Sequence, residues 1–222
     1  MRELIVAIDG PAGAGKSTVA KAVAKRLGLR FLDTGAMYRA LALKAHRQGL
    51  GPDDGGAAGE IGASTTIEFV PGDPQRVILD GEDVTEAIRT PEIGELASAL
   101  SAHSPVRKVL AERQKAIVAL GGFTLEGRDT TTVVAPQAQV KVFLTATLDE
   151  RTRRRHAELT AKGPTISFED LKKQIADRDH RDSTRADSPL MKAPDAIEIV
   201  SDDMSVDEVV ERIVAQAQSA RM

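Results

Sequence analysis

The sequence has no cysteine, no asparagine and no tryptophan, one tyrosine, and only 3% aromatic residues. Without cysteine there is neither a disulfide nor a thiolate metal site, which agrees with a cytoplasmic location. Without asparagine the Asn-Lys-x-Asp guanine-reading motif of the GTPases cannot be present, which argues against a guanine-nucleotide switch. Sparse aromatics provide no base-stacking platform, and a net charge of -3 gives no global pull toward nucleic acid. No segment approaches the ~20 apolar residues of a membrane span, and the start of the chain lacks a signal-peptide pattern. A soluble cytoplasmic protein with no nucleic-acid or membrane partner is expected. His46, His103, His156 and His180 share no metal-ligand spacing, and no Gly-x-Ser-x-Gly elbow occurs.

At 222 residues the chain suffices for one α/β domain with insertions, and 41% hydrophobic content can fill its core. Its strongest signal is the run Gly10-Pro11-Ala12-Gly13-Ala14-Gly15-Lys16-Ser17-Thr18. Before it, the apolar Leu4 to Ile8, ending at Asp9, predicts a strand buried on both faces. After it, Val19, Val23 and Leu27 with Gly28 following predict a helix with a glycine stop. A glycine-rich turn between strand and helix lets successive backbone N–H groups converge, and the helix N-terminus adds partial positive charge, so phosphate binds there. Lys16, expected to be exposed and phosphate-directed, supplies a point charge toward the β/γ oxygens, and the Ser17 hydroxyl is placed for Mg²⁺.

Further apolar runs at Arg30 to Leu32, Phe123 to Glu126, Val140 to Leu144 and Ala196 to Val200 predict, with the first, five buried parallel strands flanked by helices. Ser104-Pro105 opens a helix with Val106, Val109, Leu110, Arg113 and Ile117 on one face, ending at Gly121-Gly122. Ser167 to Asp170 and Ser205 to Glu208 are capping signatures. Gly51 to Gly62, rich in Gly, Asp and Ala, predicts a loop or frayed segment. Thr65 to Val70, then Pro-Gly-Asp-Pro, then Gln75 to Leu79 with Asp80-Gly81 predict a small antiparallel β insertion.

Phosphoryl transfer is catalysed chiefly by positioning and by positive charge spread over the transferring group, so the arginines matter. Tyr38 and Arg39 fall in the first turns of the helix after the second strand, at the carboxyl edge of the sheet where ligands bind in open α/β folds. Glu126, Arg128 and Asp129 end the third long strand at the same edge. Arg151, Arg153, Arg154 and Arg155 follow the fourth and begin a polar segment interrupted by Lys162-Gly-Pro. Arg178, Asp182 and Arg185, spaced i, i+4, i+7, set two cations around a carboxylate on one helical face, although a surface ion-pair ladder has the same spacing.

Together the phosphate loop, Asp33-Thr-Gly-Ala-Met-Tyr-Arg39, Asp80-Gly-Glu-Asp-Val84 with Ile88-Arg-Thr90, Gly127-Arg-Asp129 before Thr132-Val-Val134, and Arg178-Asp-x-Arg-Asp182 resemble the bacterial cytidylate kinases. The resemblance runs almost the whole chain in order. It implies transfer of the γ-phosphoryl of ATP, with Mg²⁺, to CMP or dCMP by a cytoplasmic monomer. It also implies a core of about 1–50, 102–150 and 186–222, a monophosphate-binding region with the β insert at about 51–101, and a mobile lid with its following helix at about 151–185. Gly10 to Thr18 would bind ATP, with Ser17 on Mg²⁺ and Glu126 reaching the ion through water. Ser98, Arg107 and Asp129 would read the cytosine edge, and Asp182 and Arg178 the sugar side. Arg39, Arg128 and Arg185, with Thr34 and Tyr38 beside them, would hold the acceptor nucleotide. Lys16, Arg128, Arg178 and the lid residue Arg154 would be catalytic. The chemistry fits, because a carboxylate accepts from the exocyclic amine that distinguishes cytosine from uracil, and arginine donates to the carbonyl.

The chain departs from the family at Thr131, where a glycine usually stands two residues after the Asp of Gly-Arg-Asp. A β-branched residue tolerates positive φ poorly, so a loop that needs that glycine would be shifted or strained here. Two other readings use the same residues. A kinase for UMP or for a shikimate-like alcohol shares the phosphate loop, but an alcohol acceptor needs a general base, whereas a monophosphate chiefly needs arginines. A non-catalytic nucleotide-binding regulator would keep the loop and lose the acceptor arginines, which this chain retains.

Overall fold

The computed structural model describes residues 3–72, 74–161, 163 and 166–220. Asp73 of the Pro-Gly-Asp-Pro turn and Lys162 and Pro164 of the Lys-Gly-Pro interruption lie outside the described residues. The chain divides into two compact units, one of Met1–Phe31 with Val118–Met222 and one of Leu32–Ile117.

In the first, β1 (Ile5–Asp9) is the middle strand of a parallel sheet with β2 (Arg30–Asp33), β6 (Phe123–Gly127), β7 (Val140–Thr145) and β8 (Ile197–Val200), in the order β2-β6-β1-β7-β8. Every residue of β1 and β6 is buried, as strands covered on both faces must be, including Thr124 and Glu126 of β6. Their register pairs Asp9 with Gly127, and Asp9 also pairs with Phe143 of β7. Strands are added on one side of β1 and then on the other, so its carboxyl end is a topological switch point, and the phosphate loop leaves from there. Helix α1 (Lys16–Leu27) stops at Gly28, which takes the left-handed conformation at φ 68°. Helix α8 (Val206–Ser219) starts in the capping box Ser205–Glu208 and packs Val209, Val210, Ile213 and Val214 with Val19, Val23 and the sheet. Helix α6 (Leu148–Thr160) follows β7, and α7 (Phe168–Thr184) is capped by Ser167.

In the second unit, α2 (Thr34–Arg47) is capped by Asp33, whose side chain accepts from the Ala36 N–H. The β insertion forms as an antiparallel sheet of β3 (Ile67–Val70), β4 (Arg76–Leu79) and β5 (Glu82–Asp83). Its second turn uses Asp80 at φ 49° and Gly81 at φ 89°, the paired positive φ of a tight hairpin. Helix α4 (Pro91–Leu100), capped by Thr90, and α5 (Ser104–Val118) complete the unit.

The segment expected as a loop is helix α3 (Gly55–Ser64). Two of its glycines face neighbours too close for a side chain: a Cβ on Gly55 would lie 2.1 Å from His103, and one on Gly59 2.6 Å from Pro105. Glycine weakens an isolated helix by ~0.5–1 kcal/mol per residue relative to alanine, and tertiary contact outweighs that here.

Candidate active site

The phosphate loop has the backbone its sequence requires. Gly13 and Gly15 take φ 77° and 84°, and a Cβ on Gly10 would lie 1.9 Å from the Leu144 carbonyl oxygen. No side chain caps the N-terminus of α1, so its first N–H groups are offered to an anion rather than to the protein. Ser17 Oγ donates to Glu126 Oε1 at 2.8 Å, and Glu126 is buried. A hydroxyl beside a carboxylate is an oxygen donor set that suits Mg²⁺, which takes few protein ligands and completes its shell with phosphates and water.

Lys16 corrects the expectation of an exposed side chain. It is 5% exposed, and its ammonium donates to the Pro11 carbonyl at 2.7 Å. Lys16 opens α1, and its side chain turns back to the carbonyl of the loop that precedes it. Burial, and after it the Arg128 charge, push the ammonium down to about 7, while Glu126 and Asp182 pull the other way.

Ala12, at the loop's crest, is held at both ends of its residue. Its N–H donates to Asp179 Oδ1 at 3.0 Å, and its carbonyl accepts from Arg151 at 2.9 Å. Arg151 also pairs with Asp179, and Leu171 and Ile175 of α7 pack on Ala12. Helices α6 and α7 thus dock directly on the phosphate loop. The other α6 arginines differ. Arg154 reaches Glu150 at 2.7 Å and Ser201 Oγ at 3.0 Å, Arg153 pairs with Glu150, and Arg155 pairs with Glu158 at the surface.

Asp182, 4% exposed, is the centre of a buried charge cluster. It accepts from Arg128 Nε at 2.8 Å and from Arg185 at 3.2 Å, with Arg178 at 4.0 Å. Burial works against its charge, but Arg128, Arg178 and Arg185 outweigh it and hold the carboxyl below the usual carboxylate range. Arg185 is the residue after α7 and joins the cluster from the following turn, where its Nε donates to the Ser188 carbonyl at 2.9 Å. Asp129, also buried, lies 4.0 Å from Arg185. The predicted Glu126, Arg128, Asp129, Arg178, Asp182 and Arg185 are therefore brought together with Lys16 and Ser17 in the first unit.

In the second unit, Arg39 pairs with Asp33 at 2.8 Å, and Gly35 between them leaves room that a Cβ would take, 3.2 Å from the guanidinium. Arg107 is buried over the Tyr38 ring, 5.5 Å from its centroid, and donates to the Ser101 carbonyl at 3.2 Å. Thr34 is buried in the first turn of α2. Ser98 is buried, and its Oγ has no hydrogen-bond partner among the described residues.

The expected strain after Gly-Arg-Asp is absent. Among the described residues only Asp80 and Ser188 combine a side chain with positive φ. Thr130–Val134 forms a wide turn in which the Ala135 N–H reaches the Thr130 carbonyl at 2.8 Å. Both first threonines turn toward Asp9: Thr130 donates through N at 2.8 Å and Oγ1 at 2.7 Å, Thr131 through N at 2.7 Å and Oγ1 at 2.6 Å. Burial pushes the Asp9 carboxyl up, and these donors pull it back. Sequence reading treated Asp9 only as a strand end and passed over Asp179. The available signal was a carboxylate ending an otherwise apolar, doubly covered strand, which must find partners.

The family profile described as cytidylate kinase matches residues 6–219. The cytidylate kinase of Carboxydothermus hydrogenoformans is 47% identical over 94% of this chain and 95% of its own length. The bifunctional pantoate ligase/cytidylate kinase of Parasynechococcus marenigrum is 49% identical over 97% of this chain, which spans 44% of that protein. In fold, the shikimate kinase of Bacteroides thetaiotaomicron superposes with a TM-score of 0.51 at 13% identity, covering 97% of this chain and 98% of its own. With the match running from β1 through α8 at close to half identity, this chain belongs to the cytidylate kinase family.

Proposed function

We propose that this protein transfers the γ-phosphoryl of ATP to CMP or dCMP, giving ADP and the nucleoside diphosphate, and that it does so as a cytoplasmic monomer. The observation that carries this reading is the buried cluster in which Asp182 holds Arg128, Arg178 and Arg185. An acceptor that is already a phosphate anion needs fixed cations and no general base. The nearby acids are engaged by arginine, Asp182 by Arg128 and Asp129 by Arg185, which suits positioning and base reading better than proton abstraction from an alcohol.

On this reading the loop amides and Lys16 bind the donor phosphates, and Lys16 delivers its charge as the transferring group becomes more negative. Ser17, and Glu126 through water, would hold Mg²⁺, whose charge would offset that of the donor phosphates. Asp129 accepts from the cytosine amine. Arg128 and Arg185 grip the acceptor phosphate while Asp182 fixes their direction and, with Arg178, meets the sugar. In the second unit an acceptor role for Arg39, with Thr34 and Tyr38, is supported by the Asp33 pair that orients it. Cytosine recognition by Ser98 and Arg107 is supported by the unpaired Ser98 hydroxyl, because a buried polar atom without a partner is rare in folded proteins. Arg154 would meet ATP from α6 on release from Glu150 and Ser201, which hold it here.

The test is ADP production from ATP and Mg²⁺ with a panel of CMP, dCMP, UMP, AMP, GMP and shikimate. CMP and dCMP are expected to give the highest kcat/KM. Turnover that does not depend on a nucleoside monophosphate overturns the reading.

A further inference from the structure

Asp9 is the last residue of β1, and the residue after it opens the phosphate loop. Its carboxylate is completely buried, yet no cation among the described residues pairs with it; its partners are the amides and hydroxyls of Thr130 and Thr131, four donors at 2.6–2.8 Å. Those two amides are the first of the Thr130–Val134 turn and so have no acceptor within it. Asp9 supplies that acceptor from 121 residues away. Both ends of the connection are closely packed. On one side Gly10 lies so near the Leu144 backbone that a side chain has no room there, since a Cβ would fall 1.9 Å from the Leu144 carbonyl oxygen. On the other, Arg128 and Asp129 directly precede Thr130, with Arg128 held by Asp182 and Asp129 beside Arg185.

We propose that Asp9, Thr130 and Thr131 form a joint that positions Arg128 and Asp129 relative to the phosphate loop, and that the two threonine hydroxyls set acceptor turnover through that position. The proposal rests on the reading of Arg128 and Asp129 as acceptor-binding residues. The three residues touch no substrate; they are positioning residues. A buried carboxylate needs several strong donors to remain in place, and half of those available here are the hydroxyls. A chain with glycine in place of Thr131 would retain only the amide at that position. The hydroxyls also account for how this sequence accommodates a β-branched residue there: the side chain is used to fasten the turn, which stays at ordinary negative φ.

The experiment replaces the hydroxyls without changing shape. Thr130→Val, Thr131→Val and the double variant are compared with the double serine variant Thr130→Ser/Thr131→Ser, which retains both hydroxyls. Steady-state kinetics give kcat and KM for CMP at saturating ATP, calorimetry gives ATP affinity without CMP, and melting confirms a cooperative fold. In the double valine variant kcat/KM for CMP is expected to fall about ten-fold or more, the scale of leaving a buried acceptor short of its partners, with ATP affinity unchanged and serine restoring turnover. The joint is overturned if the folded double valine variant retains the parent's CMP kinetics, if it loses ATP affinity in the same proportion, or if serine fails to rescue it. If the parent shows no CMP-dependent turnover, the functional reading falls and takes the joint's role with it.

Discussion

The two units hold their site residues in different ways. In the unit of Met1–Phe31 with Val118–Met222, charged groups are buried and joined over long sequence separations: Arg128 meets Asp182 across 54 residues, Ala12 meets Asp179 across 167, and Thr130 meets Asp9 across 121. In the unit of Leu32–Ile117 Asp33 caps α2 and pairs with Arg39 six residues on, Arg107 reaches the nearby Ser101 carbonyl, and its long-range contact is with the neutral Tyr38 ring rather than with a counter-charge. The packing differs in the same sense. The first unit stacks large aliphatic side chains on a parallel sheet, and the second brings α3 into contact through glycines. Charge should therefore be coupled to stability in the first unit and nearly separable from it in the second.

The strongest test of that difference is Asp182→Ala. It leaves Arg128, Arg178 and Arg185 clustered without their counter-charge, a change that costs about 3–5 kcal/mol when a buried ion pair loses one partner, and turnover should fail as well. Arg39→Ala, by contrast, should lower kcat/KM for CMP by about 10²-fold while melting and ATP affinity stay near those of the parent. Equal stability loss in both variants would erase the distinction. Asp129→Asn separates base reading from phosphate gripping. It retains size, removes the charge and adds a donor, so the CMP-over-UMP ratio of kcat/KM should drop by ~10- to 100-fold. A constant ratio with uniformly lower turnover would assign cytosine recognition to Ser98 and Arg107 alone.

Within the second unit, Gly59→Ala drives a Cβ to 2.6 Å from Pro105 and should cost roughly 1–3 kcal/mol in urea unfolding with kinetics intact. Gly56→Ala in the same helix meets nothing within 4 Å and should stabilise by roughly 0.5–1 kcal/mol. If the two variants behave alike, close packing is not what makes α3 a helix. A last test concerns pH. Lys16 titrates at about 7 in the folded protein against the usual 10.5, so across that window the unfolded chain binds a proton that the folded chain does not. Stability should therefore fall as pH drops from about 10.5 to about 7, and Lys16→Met should flatten that part of the profile. The same slope in the variant would show that Lys16 keeps its ordinary affinity for the proton.

Much of the molecule could be read without coordinates. The β1 strand, the glycine loop and α1 are specified by apolar runs, glycine stops and helix periodicity, and all act within a few residues. The capping serines at 167 and 205 and the Asp80-Gly81 turn are equally local. The spacing of Arg178 and Asp182 puts them on one face of α7, whereas Arg185 lies just past the helix end and reaches Asp182 from the following turn. Tertiary structure decided the burial of Lys16, the helical state of Gly55–Ser64 and the fit of Thr131. Each depends on a partner distant in the chain: a desolvating surround for the ammonium, Pro105 and His103 against glycine faces, and the Asp9 carboxylate for the threonine hydroxyls. Local propensity contains no information about such partners, because their free energy arises only when desolvation and long-range contact occur together.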